Sequence, residues 1–197
     1  MLAVIFALTA PALAADPLVD LRTAVPGVVL DVRYATSRNF LGRAVYPEAE
    51  AFLRRSAAEK LARAAAALGA RGRRLVIYDA YRPLSVQRLL WAAKPDRRFV
   101  ADPARGSIHN RGGAVDVGLA DADGKSVPMP TGFDEFSPKA AHGAKGVPPE
   151  AAANAAALKA AMEAAGFKAL PEEWWHYEDP AAKDWPLLDV PFKELHR

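Results

Sequence analysis

The chain has 197 residues, of which 51% are hydrophobic and 25% charged, a balance that fits a globular protein able to bury one sizeable core. Its formal net charge is +3, with Lys and Arg scattered rather than gathered into a basic stripe with interleaved aromatics, so nucleic-acid binding is set aside. There is no cysteine, which excludes a disulfide framework, a thiolate nucleophile and thiolate-held zinc, and leaves His and carboxylates to hold any metal.

Residues 1–15 are apolar and uncharged and end in Ala12-Leu13-Ala14-Ala15. The Ala-x-Ala pattern predicts a signal peptide cleaved after Ala14 or one residue later, although no Lys or Arg opens it. Fifteen residues are too few for a stable membrane span, and no other segment is a candidate. Cleavage would make the protein periplasmic or secreted; an uncleaved chain would be cytoplasmic. Residues 16–197 read as a single domain, without internal repeats or a long linker.

Val28 to Tyr34 reads as a strand, and Thr36 to Pro47 as a polar loop carrying aromatics. Ala49 to Leu68 predicts a long amphipathic helix, with Phe52, Leu53, Leu61 and Leu68 on its apolar side and Gly69 stopping it. Leu75 to Tyr78 is a short buried strand, and Leu84 to Ala93 a helix after Arg82-Pro83. Ala114 to Leu119 reads as a strand, followed by a hairpin turn at Asp121-Ala122-Asp123-Gly124. Met129 to Val147 is a long irregular loop of the kind that often carries function. Pro149 to Ala165 is a helix with Pro and Glu in its first turn, ending at Gly166. Trp174 to Glu178 reads as a strand. Mixed elements without strict alternation predict an α+β fold with a central, mostly antiparallel sheet flanked by helices.

The four histidines stand at 109, 142, 176 and 196. Two of them lie in the most patterned segments, Ser107-Ile108-His109-Asn110-Arg111-Gly112-Gly113-Ala114-Val115-Asp116 and Glu172-Glu173-Trp174-Trp175-His176. His109, Asp116 and His176 supply three N/O ligands, and a spare Glu supplies a base, which is the inventory of a catalytic zinc site. The Gly pair argues for a loop that turns into a strand carrying Asp116. Glu173 and His176 would point to opposite faces of a regular strand, so joint service to a metal requires a turn or bulge near Trp174. The competing readings are a hydrogen-bonded structural His, Asp116 as an ion-pair partner, and both tryptophans as core. His142 and His196 are expected at the surface.

The pattern Ser107-x-His109-x-x-Gly112-x-Ala114-x-Asp116 followed by Glu173-Trp174-Trp175-His176 resembles the zinc D-alanyl-D-alanine peptidases of family M15. Asp31-Val32-Arg33-Tyr34-Ala35-Thr36 with Asn39-Phe40, Gly42 and Tyr46 resembles the N-terminal signature of their VanX-type dipeptidase branch. Asp79-Ala80-Tyr81-Arg82-Pro83 and the loop Gly132-Phe133-Asp134-Glu135-Phe136-Ser137 resemble two further motifs of that branch. The resemblance runs in order through nearly all of residues 16–197.

The resemblance implies a hedgehog/DD-peptidase-like fold and one zinc per chain, held by His109, Asp116 and His176. It further implies Glu173 as general base and acid, with Glu172 its rival, and Arg82 as the group that stabilises the developing oxyanion. A surface Arg before Pro83 and a structural pair with Asp79 are the alternatives for Arg82. Asp134 is the candidate for the substrate ammonium, and Ser107 for the substrate backbone or a turn cap. Tyr34, Phe40 and Tyr46 are candidates for a small pocket, with core packing as their alternative. Glu178 and Asp179 are either solvated or partners of His176. The implied reaction is cleavage of D-Ala-D-Ala to two D-alanine, in peptidoglycan-related metabolism, without nucleic acid or stable membrane insertion. Two other readings stand beside it: a zinc carboxypeptidase or endopeptidase on peptidoglycan stem peptides, and a non-catalytic, metal-dependent cell-wall-binding module.

Overall fold

The computed structural model describes residues 16–196. The signal-peptide expectation for residues 1–15 therefore lies outside the described residues. A five-stranded sheet runs in the order β2 (Val29–Leu30), β4 (Arg74–Asp79), β5 (Ala114–Ala120), β7 (His176–Glu178), β6 (Lys168–Ala169). Only the β2–β4 pair is parallel; the others are antiparallel, as the mixed element order predicts. A separate antiparallel pair joins β1 (Leu18–Asp20) to β3 (Phe52–Arg54).

The central strands read as apolar runs because both their faces are covered. Every residue of β5 is buried, as are Leu75 to Asp79 of β4. Helix α2 (Arg55–Gly69) packs against β4 and against α4 (Pro149–Ala164), which also lies on β5. Leu61 and Leu68 of α2 and Leu158 and Met162 of α4 are fully buried there, each worth roughly 1.5–3 kcal/mol of transfer free energy. Asp16 caps α2: its Oδ1 accepts from the Ser56 amide at 3.1 Å and its Oδ2 from the Ser56 hydroxyl at 2.6 Å. Among the described residues the remaining α-helices are the single turn α1 (Leu21–Ala24) and α3 (Leu84–Ala93).

Several boundaries differ from the sequence reading. The strand expected over Val28 to Tyr34 shrinks to two residues, because the chain turns into a 3₁₀ turn at Arg33–Ala35. The long helix begins at Arg55 rather than Ala49. Phe52 and Leu53 bury their side chains from β3 instead of a helix face. Period 3.6 and a short buried strand cannot be told apart over so few apolar residues. The last expected strand starts at His176, not Trp174, since residues 171–172 and 174–175 are turns.

Buried polar side chains gather near the ends of β4, β5 and β7. Asp79, Arg82, His109, Asp116 and His176 are all at most 7% exposed. Buried charges persist only when paired or bound to a metal, so this cluster marks the chemistry of the molecule.

Candidate metal centre

Each of the three expected metal ligands is aimed by a different local device. His109 opens a 3₁₀ turn, His109–Arg111, that closes on Gly112 at φ 71°. Only glycine adopts that left-handed backbone without strain. A Cβ on neighbouring Gly113 would stand 2.2 Å from Ala182 Cβ, so the second glycine admits the C-terminal segment. The Gly pair thus serves a turn and a chain crossing. Asp116 sits on β5 directly opposite His176 on β7. A turn supplies the change of direction needed near Trp174. The Glu173 amide donates to the Leu170 carbonyl, and the His176 amide to the Glu173 carbonyl, both at 3.2 Å.

These devices bring three donor atoms together. His109 Nε2 lies 3.2 Å from His176 Nδ1 and 3.4 Å from Asp116 Oδ1, and the last two are 2.9 Å apart. Ligands at about 2.0–2.1 Å from a tetrahedral ion stand about 3.3 Å from one another, so the trio has the dimensions of one face of such a site. The outer partners also fit. His109 Nδ1 donates to the Ala80 carbonyl at 2.7 Å, which leaves Nε2 with its lone pair. His176 Nε2 is held by Glu178 Oε1 at 3.1 Å, leaving Nδ1 for a metal. Glu178 is therefore a partner of His176 rather than a solvated acid. Asp179 is buried elsewhere, paired with Lys60 at 2.7 Å.

The electrostatics follow from these contacts. Burial pushes the Asp116 carboxyl up, but the two imidazoles outweigh it and hold it well below the usual range. Burial pulls the His176 imidazole down, while Asp116 and Glu178 together push it up to about 10. Burial pushes Glu173 up to about 7. Its rival Glu172 is exposed.

The donors open onto a cavity of about 180 Å³ that Tyr34, Arg82, Ser107, Asp134 and Glu173 also line. That is smaller than the roughly 300–1,000 Å³ of sites for drug-sized ligands, and suits a small solute. Asp134, with an unusual φ of 61°, points back at Tyr34, whose hydroxyl lies 3.4 Å from its Oδ1. Burial first, and then the charge of Asp116, push the Asp134 carboxyl up to about 8. The Ser107 hydroxyl accepts from the His109 amide at 3.2 Å, so it caps the ligand turn from the cavity wall.

Tyr46 and Asp79 do not line the cavity; they stand behind it. The Tyr46 hydroxyl donates to Asp79 Oδ1 at 2.7 Å, and Asp79 Oδ2 accepts from Arg82 Nε at 3.0 Å and Nη2 at 2.5 Å. The Arg82 guanidinium also lies over the Tyr34 ring, 5.1 Å from its centroid. Burial works against its charge, and Asp79 more than offsets it. Arg82 is thus buried and paired with Asp79, and it also lines the cavity.

Sequence reasoning missed part of the wall. Phe99, Phe136 and Leu170 border the cavity and a neighbouring apolar chamber of about 590 Å³, with Glu173 and Trp175 between the two. Segment 94–107 carries no periodicity that could have announced this role. Of the other histidines, His142 is half-buried against the Tyr177 ring rather than exposed, and His196 is exposed and 3.0 Å from Glu50.

Comparison with known proteins gives a consistent picture. The family model for peptidase M15, described as D-ala-D-ala dipeptidase, matches residues 14–196. The chain is 40% identical over 171 residues to the D-alanyl-D-alanine dipeptidase of Escherichia coli K12, covering 87% of this chain and 89% of the relative. It is 33% identical over 174 residues to that of Enterococcus faecium, covering 78% and 86%. To that of Streptomyces coelicolor it is 33% identical over 177 residues, again covering 78% and 86%.

Proposed function

The chain belongs to the D-ala-D-ala dipeptidase family of the M15 metallopeptidases, and from that premise we propose that it hydrolyses D-alanyl-D-alanine to two molecules of D-alanine with one zinc ion per chain. The observation that carries this reading is the His109–Asp116–His176 trio opening, with Glu173, onto one cavity of dipeptide scale.

Zinc bound by the trio would supply Lewis acidity and lower the pKa of water to around 7. Glu173, raised to about 7, is poised to take the proton of the attacking water and hand it to the leaving amine. Arg82, fixed by Asp79, offers guanidinium N–H groups to the oxyanion that forms at the scissile carbonyl. Asp134 lies at the Tyr34 end of the cavity, where a carboxylate can pair with the free ammonium of a dipeptide. Ser107 orients the His109 turn and presents its hydroxyl to the substrate backbone. Tyr34 forms the wall beside the small side chain, while Tyr46 and Asp79 act through Arg82.

Among the described residues no helix is long and apolar enough to cross a membrane. Export to the periplasm or medium rests on residues 1–15 alone, and with it a role in recycling or scavenging cell-wall dipeptide; fractionation with N-terminal sequencing tests it.

The test of the activity is D-alanine release from D-Ala-D-Ala, with and without chelator, beside a stem pentapeptide. The expected result is dipeptide cleavage lost on chelation and restored by Zn²⁺, with the pentapeptide untouched. Cleavage of the pentapeptide alone would move the protein to the carboxypeptidase reading. No turnover of either by zinc-loaded protein would favour a binding module.

A further inference from the structure

The second anchor of Arg82 is a side chain that no motif of the sequence announces. Gln87 lies on α3, one turn past Pro83, and is fully buried. Its Oε1 accepts from Arg82 Nη1 at 2.8 Å, and its Nε2 donates to the Ala101 carbonyl at 2.7 Å. A fully buried Gln inside a helix costs desolvation unless both ends of its amide are used, and here both are. Ala101 belongs to segment 94–107, whose Phe99, Val100 and Ser107 form one wall of the cavity. Asp79 fixes the guanidinium from one side through Nε and Nη2; Gln87 fixes it from the other through Nη1.

We propose that Gln87 is a positioning residue, which holds the Arg82 guanidinium at a fixed angle to the scissile carbonyl and ties it to the cavity wall at Ala101. This rests on the oxyanion role of Arg82 proposed above. Two anchors on one planar group fix its orientation as well as its place. A single anchor at Asp79 leaves the plane free to tilt, and a misplacement of about 1 Å can cost on the order of 10²-fold in rate. The substrate meets Glu173, Asp134 and the metal ligands independently of Gln87, so its ground-state binding is untouched. The loss falls on kcat.

The test compares Gln87→Met, Gln87→Glu and Arg82→Ala in zinc-loaded protein, with metal content and thermal midpoint measured alongside kinetics on D-Ala-D-Ala. Met fills the same space without an acceptor. Glu keeps the acceptor for Arg82, and can still donate to Ala101 when protonated. The expected result is a kcat about 10- to 100-fold lower for Gln87→Met, with KM within about threefold and one zinc per chain. Gln87→Glu should recover kcat to within about threefold of the parent. Arg82→Ala should lose about 10²–10³-fold. Two results overturn the proposal while leaving Arg82 in its role: parental kcat in Gln87→Met beside a crippled Arg82→Ala, or equal losses in Gln87→Met and Gln87→Glu that follow their thermal midpoints. Parental kcat in Arg82→Ala would remove the oxyanion role and this proposal together.

Discussion

Asp116 on β5 and His176 on β7 are directly opposed across an antiparallel ladder, with Asp116 Oδ1 2.9 Å from His176 Nδ1. Opposed residues share a face of the sheet with their Cβ atoms about 4.5–5.5 Å apart, so strand register sets the spacing of two of the three proposed metal donors. A slip of one residue would turn His176 to the other face and dismantle the site. The arrangement is thus as stiff as the sheet.

Glu173→Gln is expected to abolish turnover, by about 10²–10⁴-fold, while zinc content stays at one per chain. The residue borders the cavity but is not among the three grouped donors. D-alanine release and elemental analysis of the same preparation check it; near-parental turnover would reassign the base.

The pH profile of kcat/KM should carry an acid limb set by Glu173. A base works only when deprotonated, and burial pushes this carboxyl up to about 7, so activity falls as pH drops through that region. A bound cation adds positive charge beside it and moves the midpoint to or below that value. The limb should be absent from the residual activity of Glu173→Gln.

Zinc binding at pH 8 should release a proton from His176. Asp116 and Glu178 push its pKa up from 6.5 to about 10, so the imidazole is charged in metal-stripped protein, yet only the neutral ring can ligate. Calorimetry in buffers of different ionisation enthalpy reads the proton count. The same shift fixes a sign for stability. A raised folded-state pKa stabilises metal-stripped protein fully below pH 6.5, and that contribution fades as pH climbs to about 10. Its thermal midpoint should therefore fall over that window, a trend that Glu178→Gln should weaken.

Glu178→Ala is expected to weaken zinc affinity by about 10- to 100-fold while leaving the fold intact, because Glu178 holds the far nitrogen of His176 at 3.1 Å. Competition with a chromophoric chelator measures it. An unchanged affinity would show that β-sheet register alone orients the imidazole.

Asp134→Asn should lower kcat/KM for the free dipeptide by about 10- to 100-fold, the loss of one charge-assisted contact. N-acetylated D-Ala-D-Ala, which has no ammonium, should be cleaved equally by both forms. A parallel fall on both substrates would mean that Asp134 only shapes the loop through Tyr34 and Phe40.

How much was legible in advance depended on range. The helices at 84–93 and 149–164 and the strands at 74–79 and 114–120 were readable from apolar period and from Pro and Gly punctuation, because those signals are local. The β1–β3 pair was not, since its partners lie more than thirty residues apart and leave no local period; β2 was legible only as part of a longer strand, and the two-residue β6 is too short to show a period. For the site, residue types pointed to three candidate metal donors and the family resemblance to Glu173 as the proposed base; neither could say that Tyr46 and Asp79 stand behind the cavity or that Glu178 turns to His176.

The sequence by itself determined the chemistry available: no thiolate, two patterned imidazoles, one carboxylate on a buried strand, a Glu three residues before the second His, and an Arg before a Pro. Those are properties of side-chain type and short spacing, which chain connectivity enforces. Only the tertiary structure decided which atoms face one another: Nε2 of His109 with Nδ1 of His176, Arg82 toward the same cavity as those donors, Glu173 between two cavities. Those relations depend on strand register and on contacts across 60 or more residues for the imidazoles and their carboxylate. Packing the whole core fixes such distances, and no local stretch of the chain contains them.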